Sequence, residues 1–486
     1  MTIAKKRVDF TEGPLFWRLI IFMLPIVATN LLQILYDVAD KIVVGQFSGD
    51  PNALGAIGST TFISGMIISF MIGVGGGAGV VVAQAFGAKN KVGLERSTHN
   101  TLILAAALSV AMTVIGYITA EPLLRLLDTP YVLFDTALLY LRIIYSGILG
   151  TAVYNAGASI LRAVGDSASS LKIGLVSGAL NVALNLLFVV VFKLSVAGVA
   201  IATVISTYFS AISVLFVLYR RRDEDYSIHL DKFIPHKETI LLILRLGVPT
   251  GLQSACFSIA NMATTAAVNS FGSTVYVSAR SIATDIDQFS SMISGAFLPA
   301  ALTATGQNVG ARNGKRIKRV LLYTTLQAAV AVFACAMTIL FFVDNIALLF
   351  IEASDPDLLP KVAAIKDWCG VMLSFHFVTG ILNALTGVVR GLGYSITPLI
   401  LNIIGTVGTR LVWIYGVFFR VEELYTLKGL AYMYPISWSA TTIFIVALLL
   451  LAIAKGKINY ENQPQLQEDS RSADDPTPTK VAESRS

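Results

Sequence analysis

Long apolar runs, separated by short polar connections, recur along almost the whole chain. Twelve of them lie near residues 19–45, 54–84, 98–120, 132–155, 168–192, 196–219, 246–271, 278–304, 320–343, 366–388, 396–419 and 429–454. A helix rises 1.5 Å per residue, so about 20 residues cross a hydrocarbon core about 30 Å thick. The apolar character is continuous and does not alternate, which favours helices over barrel strands. The pattern predicts an all-α polytopic membrane protein with twelve transmembrane helices.

Composition agrees. The 486 residues are 55% hydrophobic and 14% charged, against about 25% charged in soluble domains, and mean hydropathy is +0.72. Lys5, Lys6 and Arg7 are followed by Asp9 and Glu12 rather than by a short apolar core and a small-residue cleavage site, so no cleavable leader is expected. Cys256 and Cys335 fall inside apolar spans and Cys369 near the start of another, which gives no disulfide framework or metal cluster and suits packing roles.

The formal charge of +6 raises a nucleic-acid reading, but the distribution of the charge argues for topology. Lys and Arg gather at the N-terminus, at Lys89, Lys91 and Arg96, at Arg220 to Arg222, and at Arg312, Lys315, Arg316, Lys318 and Arg319. With an even number of spans these clusters share one side, while "QFSGDPN" and "FIEASDPDL" on the other are acidic or neutral. The bias places both termini in the cytoplasm of a multi-pass protein in the plasma (inner) membrane, with lipid as its surroundings and no nucleic-acid partner. Residues 456–486, polar and rich in Pro, Ser, Asp and Gln, read as a disordered cytoplasmic tail.

The chain also repeats itself. Pro25 in "LPIVATN" and Pro249 in "VPTGLQS" are 224 residues apart, Gly87 in "AQAFGAKNK" and Gly310 in "GQNVGARNG" 223, and Arg162 in "LRAVGDS" and Arg390 in "VRGLGYS" 228. Three similar offsets in one order, all on one side, predict two homologous six-helix lobes in parallel orientation. The lobes are expected at 1–218 and 239–455, joined by a basic cytoplasmic linker at 219–238. Parallel halves suggest a V-shaped molecule whose central cavity opens alternately to each side.

The stretch "LYDVADKIVVG" places two acids in an otherwise apolar helix. Asp37 and Asp40 are three apart and share a face, with Tyr36 four before Asp40 on nearly the same stripe. An ionised side chain at the bilayer centre costs at least about 2.5 kcal/mol, so intramembrane acids generally face a cavity and serve function. Asp40 lies 22 residues after Arg18, roughly 33 Å along a straight helix, so on physics alone an interfacial position stays open. Clustered carboxylates in an apolar pocket do not both ionise easily, and such a pair can exchange a proton for a cation. Pro25 removes a backbone hydrogen bond and offers a hinge.

Other candidates have bland alternatives. Asp285 and Asp287 in "ATDIDQF" stand in the eighth span with Arg280 nearby, suited either to a substrate cation or to structural hydrogen bonds. His376 is a lone histidine in the tenth span, best read as a satisfied packing residue although it can titrate near neutral pH. Arg142 and Arg410 are expected to pair with acids or carbonyls inside the bundles. The loose glycine fingerprint around Gly73 and Gly75 follows no strand and suits close helix packing better than nucleotide binding.

Together, "LYDVADKIVVGQFSG", "VAQAFGAKN", "LRAVGDS", "ATDIDQF" and "VRGLGYS" resemble the multidrug and toxic compound extrusion (MATE) transporters over residues 15 to 455 or so. The resemblance implies the two-lobed MATE/MOP-type fold and a secondary antiporter that expels amphipathic, often cationic, compounds in exchange for H+ or Na+, without a cofactor, a bound metal other than a possible Na+ at Asp40, or catalytic residues, and as a monomer. Asp40 matches the coupling acid of the family's first helix, and Tyr36, Asn181 and Thr203 fall where relatives line the N-lobe pocket. Asp287 matches an acidic family position that lines the C-lobe. Asn185 departs from the pattern, standing where many relatives have aspartate, and Asp37 stands where relatives commonly have asparagine, so Asp37 is a candidate substitute for the acid missing at Asn185. No carboxylate occupies the seventh span or the deep part of the tenth, which resembles the DinF-like branch with coupling in the N-lobe. The alternatives are a flippase for lipid-linked saccharides, which would need many Lys and Arg in the central spans, and a membrane enzyme, which would need a nucleophile and base at a membrane face.

Overall fold

A computed structural model describes residues 7–127, 129–351 and 354–455; the tail expected at 456–486 lies outside the described residues. Among the described residues the structure is helical, with no strand. The helices are α1 (Leu15–Phe47), α2 (Ala53–Gly87), α3 (Lys91–Leu126), α4 (Tyr131–Ser146), α5 (Ile148–Ala163), α6 (Ser167–Asn185), α7 (Ser195–Tyr219), α8 (Lys237–Asn269), α9 (Thr274–Gly310), α10 (Gly314–Phe341), α11 (Val343–Ala347), α12 (Leu358–Ser374), α13 (Phe377–Gly391), α14 (Ile396–Asn402), α15 (Thr409–Leu411), α16 (Leu427–Ala431) and α17 (Met433–Ala454).

Nine of these stretches are long and apolar enough to span a bilayer, and the bent pairs α4–α5 and α12–α13 add two more. The remaining expected span falls on α9, 37 residues long, which carries no charged residue after Asp287. The fourth, tenth and eleventh spans are each interrupted. The fourth turns by 45° at Gly147 and the tenth by 41° at Phe375–His376. The fifth span ends in π-helical turns over Leu186–Val191, and the eleventh contains them over Ile403–Gly408 and Val412–Phe418. Hydrophobic periodicity is blind to such breaks, because a π turn or a bend leaves composition unchanged.

The repeated motifs meet in the middle of the molecule. α2 packs most extensively on α8, then on α5 and α9, so it forms the seam between the lobes. The seam is close because it is made of glycine: a Cβ on Gly73 would lie 2.4 Å from the Gly251 nitrogen, and one on Gly77 2.3 Å from the Gly247 nitrogen. The glycine run expected to serve helix packing does so. At the face that carries residues 7 and 455, the Gly87 and Gly310 counterparts cross over: a Cβ on Gly87 would strike the Gln307 carbonyl at 1.8 Å, and one on Gly310 the Gln84 carbonyl at 2.0 Å.

Each motif position there has a physical task. Gln84 Nε2 donates to the Gly391 carbonyl at 3.0 Å, and its counterpart Gln307 Nε2 donates to the Ala163 carbonyl at 2.8 Å. Each glutamine therefore ties its own lobe to the other. Lys89 and Arg312 take left-handed turns at φ 54° and 53°, and Asn90 and Asn313 cap the next helices by accepting from Gly93 N and Arg316 N.

A segment before α1 completes this face. Val8 N donates to the Gly165 carbonyl, Phe10 N to Gln307 Oε1 at 2.9 Å, and Asn308 Nδ2 to the Phe10 carbonyl at 3.0 Å. Phe10 is fully buried in a cluster that joins the base of α1 to α9, α10 and α13. Arg316 holds the Phe10 and Gly13 carbonyls. Nearby, Arg221 pairs with Asp166, both almost fully buried.

Candidate functional site

α1 runs unbroken through Pro25, whose carbonyl, still within a helical turn, accepts from Thr29 Oγ1 at 2.8 Å. It lies along α6. Asp40 is seven residues from the end of α1, about 10 Å below the face opposite the termini. Beside it, Asn185 is the last residue of α6 before the π-helical turns, a device that often re-aims side chains at functional sites.

The contact between them is direct. Asn185 Nδ2 donates to Asp40 Oδ1 and, at 3.2 Å, to Asn181 Oδ1. Asn185 is fully buried and Asn181 nearly so. Asn185 Oδ1 is buried with no hydrogen-bond partner among the described residues. Such an orphaned acceptor costs free energy and marks a place where a proton donor or cation fits.

Tyr36 closes the site one turn deeper. Its hydroxyl donates to the Leu175 carbonyl at 3.4 Å, and its ring fills the space that Gly178 leaves, since a Cβ there would come within 1.8 Å of it. Asp37 is on an exposed face of α1, near enough to Lys41, four residues on, to feel its charge. Asn185 thus meets Asp40, and no hydrogen bond joins it to Asp37 among the described residues. Thr203 is half-buried and lies four residues after Val199, which packs on Val43 and Val44 of α1; its carbonyl accepts from Thr207. Tyr140 on α4 stands near enough to sense both Asp40 and Asp37. Neither Tyr140 nor Gly178 is signalled by sequence spacing, because both reach the site from other helices.

Asp287 belongs to the other lobe. Its Oδ1 is 3.2 Å from His376 Nε2 and its Oδ2 accepts from Ser291 Oγ at 3.0 Å. Asp285 accepts from Gln288 instead. Arg410 is buried and, as expected, bonds a carbonyl oxygen, the amide Oδ1 of Asn261, together with Ser437 Oγ and the face of Tyr434, with no acid among its described hydrogen-bond partners. Arg142 is exposed.

A family model described as MatE matches residues 25–187 and 249–415, once in each lobe. The chain is 31% identical over 399 residues to the probable multidrug resistance protein YpnP of Bacillus subtilis, covering 82% of this chain and 87% of that one. It is 22% identical to the multidrug export protein MepA of Staphylococcus saprophyticus, over 94% of this chain and 98% of that one. A solved structure of a multidrug resistance MATE family transporter of the MOP superfamily, in an outward-facing conformation, superposes with a TM-score of 0.83 at 24% identity, covering 94% of this chain and all of that one. With the duplicated helical lobes and the buried polar site in the first of them, these matches show that the chain belongs to the MATE family, whose members are multi-pass membrane transporters and not enzymes.

Proposed function

We propose that the protein exports amphipathic, often cationic, compounds from the cytoplasm in exchange for H+ or Na+, with Asp40 as the coupling acid. The names of YpnP, a probable multidrug resistance protein, and MepA, a multidrug export protein, support the substrate class. The single observation that carries the coupling role is the Asp40–Asn185 pair with its orphaned amide oxygen.

That pair suits two states. As a carboxylate, Asp40 accepts from Asn185 Nδ2. Once protonated it becomes a donor and needs an acceptor, and Asn185 Oδ1, reached by a flip of the amide, supplies one. A hard cation finds carboxylate and amide oxygens from Asp40, Asn181 and Asn185 in the same place. Tyr36 against Gly178 fixes α1 on α6, so a change of charge at Asp40 is felt between the two helices. Pro25 supplies the bend, the basic face lies in the cytoplasm, and the protein works as a monomer.

The test is efflux of a fluorescent lipophilic cation from proteoliposomes under imposed H+ or Na+ gradients. Gradient-dependent efflux is expected. Translocation of a lipid-linked saccharide with no response to either gradient would replace the proposal with the flippase reading.

A further inference from the structure

The C-lobe has its own buried titratable pair. His376 occupies the break between α12 and α13 and is 2% exposed. Both ring nitrogens have partners on α9: Nδ1 lies 2.5 Å from Ser290 Oγ, and Nε2 lies 3.2 Å from Asp287 Oδ1 and 3.5 Å from Ser291 Oγ. Trp438 of α17 stands against the imidazole, ring centroids 5.4 Å apart. Asp287 Oδ1 is buried beside Nε2 and accepts no hydrogen bond among the described residues.

The charged and titratable groups around the pair come from four elements. Arg280 is on α9, Cys369 on α12, Arg410 on α15 and Tyr434 on α17, and Asp287 is the carboxylate that Arg410 and Cys369 sense. The acids of the first lobe have no acidic counterparts here. The 224-residue offset that pairs Pro25 with Pro249 takes Asp37 to Asn261 and Asp40 to Thr264. The acid of this lobe lies on the neighbouring helix instead, beside a histidine.

The hydrogen bonds tolerate two protonation states. With a neutral imidazole carrying its proton on Nε2, that N–H faces Ser291 Oγ with Asp287 Oδ1 beside it at 3.2 Å, and the Ser290 hydroxyl donates to Nδ1. With an imidazolium, Nδ1–H donates and the same hydroxyl turns to accept. The added charge sits against a carboxylate, in contact with a side chain, Asp287, that is 20% exposed and so gives the proton a route. We propose that His376 and Asp287 form a second proton-binding site, loaded independently of Asp40 and placed at the bend of the tenth span. It goes beyond the role given to Asp40 and does not depend on it.

The chain has only four histidines, so NMR of the full-length protein in nanodiscs with 13C-labelled histidine reads this site directly. His376→Gln, which keeps a polar side chain, assigns the resonance; Trp438→Phe assigns it independently through the lost ring-current shift. The resonance is expected to titrate between pH 4 and 9. Asp287→Asn should move the midpoint by about one pH unit or more, and Asp40→Asn should leave it in place. A resonance that does not titrate, a midpoint indifferent to Asp287→Asn, or one displaced by Asp40→Asn would each overturn the proposal, whatever becomes of Asp40 as the coupling acid.

Discussion

Replacing Gln307 by alanine should unlock the face that carries the termini. Gln307 is fully buried, donates to the Ala163 carbonyl of the other lobe and accepts from Phe10 N. The substitution strands one acceptor and one donor, each worth about 1 to 3 kcal/mol when unpaired. The Ala163 bond crosses between the lobes, so its loss falls on the state in which this face is closed. Taking about 2 kcal/mol after water repairs part of it, the ratio of closed to open shifts by about thirty-fold. Gln84→Ala should do less, because Gln84 is only half-buried and holds a single carbonyl, Gly391. The exposed counterparts Lys89 and Arg312, one on each lobe, are sites for paired spin labels in a variant without the native cysteines. Their distance distribution in nanodiscs should gain a longer component in Gln307→Ala, and a smaller one in Gln84→Ala. Identical distributions in the parent and Gln307→Ala would refute the clamp.

Three further outcomes follow from the same packing. Gly77→Ala should lower the thermal unfolding midpoint, because its Cβ meets the Gly247 backbone at 2.3 Å, whereas Gly58→Ala, with open space around it, should raise it slightly; differential scanning fluorimetry gives both signs. Burial alone would push the Asp166 carboxyl up, but the hydrogen bonds from Arg221 and Ser169 outweigh it and hold it below the ordinary carboxylate range. That contribution is complete above about pH 4 and is lost as pH falls further, so Asp166→Asn should destabilise by about 3 to 5 kcal/mol at neutral pH and flatten the acid limb of the unfolding curve. Asn185→Ala should move the pH of half-maximal efflux by about one unit, and an unchanged profile would remove Asn185 from the coupling site.

Much of this architecture is legible in the chain. Continuous apolar runs mark the spans, and offsets of 223 to 228 residues mark the duplication, because a repeated fold needs the same cap, turn and close approach at the same places. The structure shows what those motifs do: Gly87 and Gly310 let the helices touch, and Asn90 and Asn313 start the next ones. The lateral contacts are not legible. Asp40 is visible as an acid out of place, but its meeting with Asn185 depends on the register of α1 on α6. His376 looks alone because Asp287 lies 89 residues away, and Arg410 meets neutral oxygens rather than the acids that its charge suggests. The bends at Gly147 and His376 escape a periodicity that counts only apolar positions.

The central claim is that Asp40 couples ion and substrate movement, and the most direct measurement compares the parent with Asp40→Asn in proteoliposomes. The asparagine keeps the size of the side chain and removes the group that exchanges H+ or Na+. Gradient-driven efflux of the lipophilic cation should disappear, while binding of the same compound to the purified protein persists. Full gradient-driven efflux by Asp40→Asn would contradict the account.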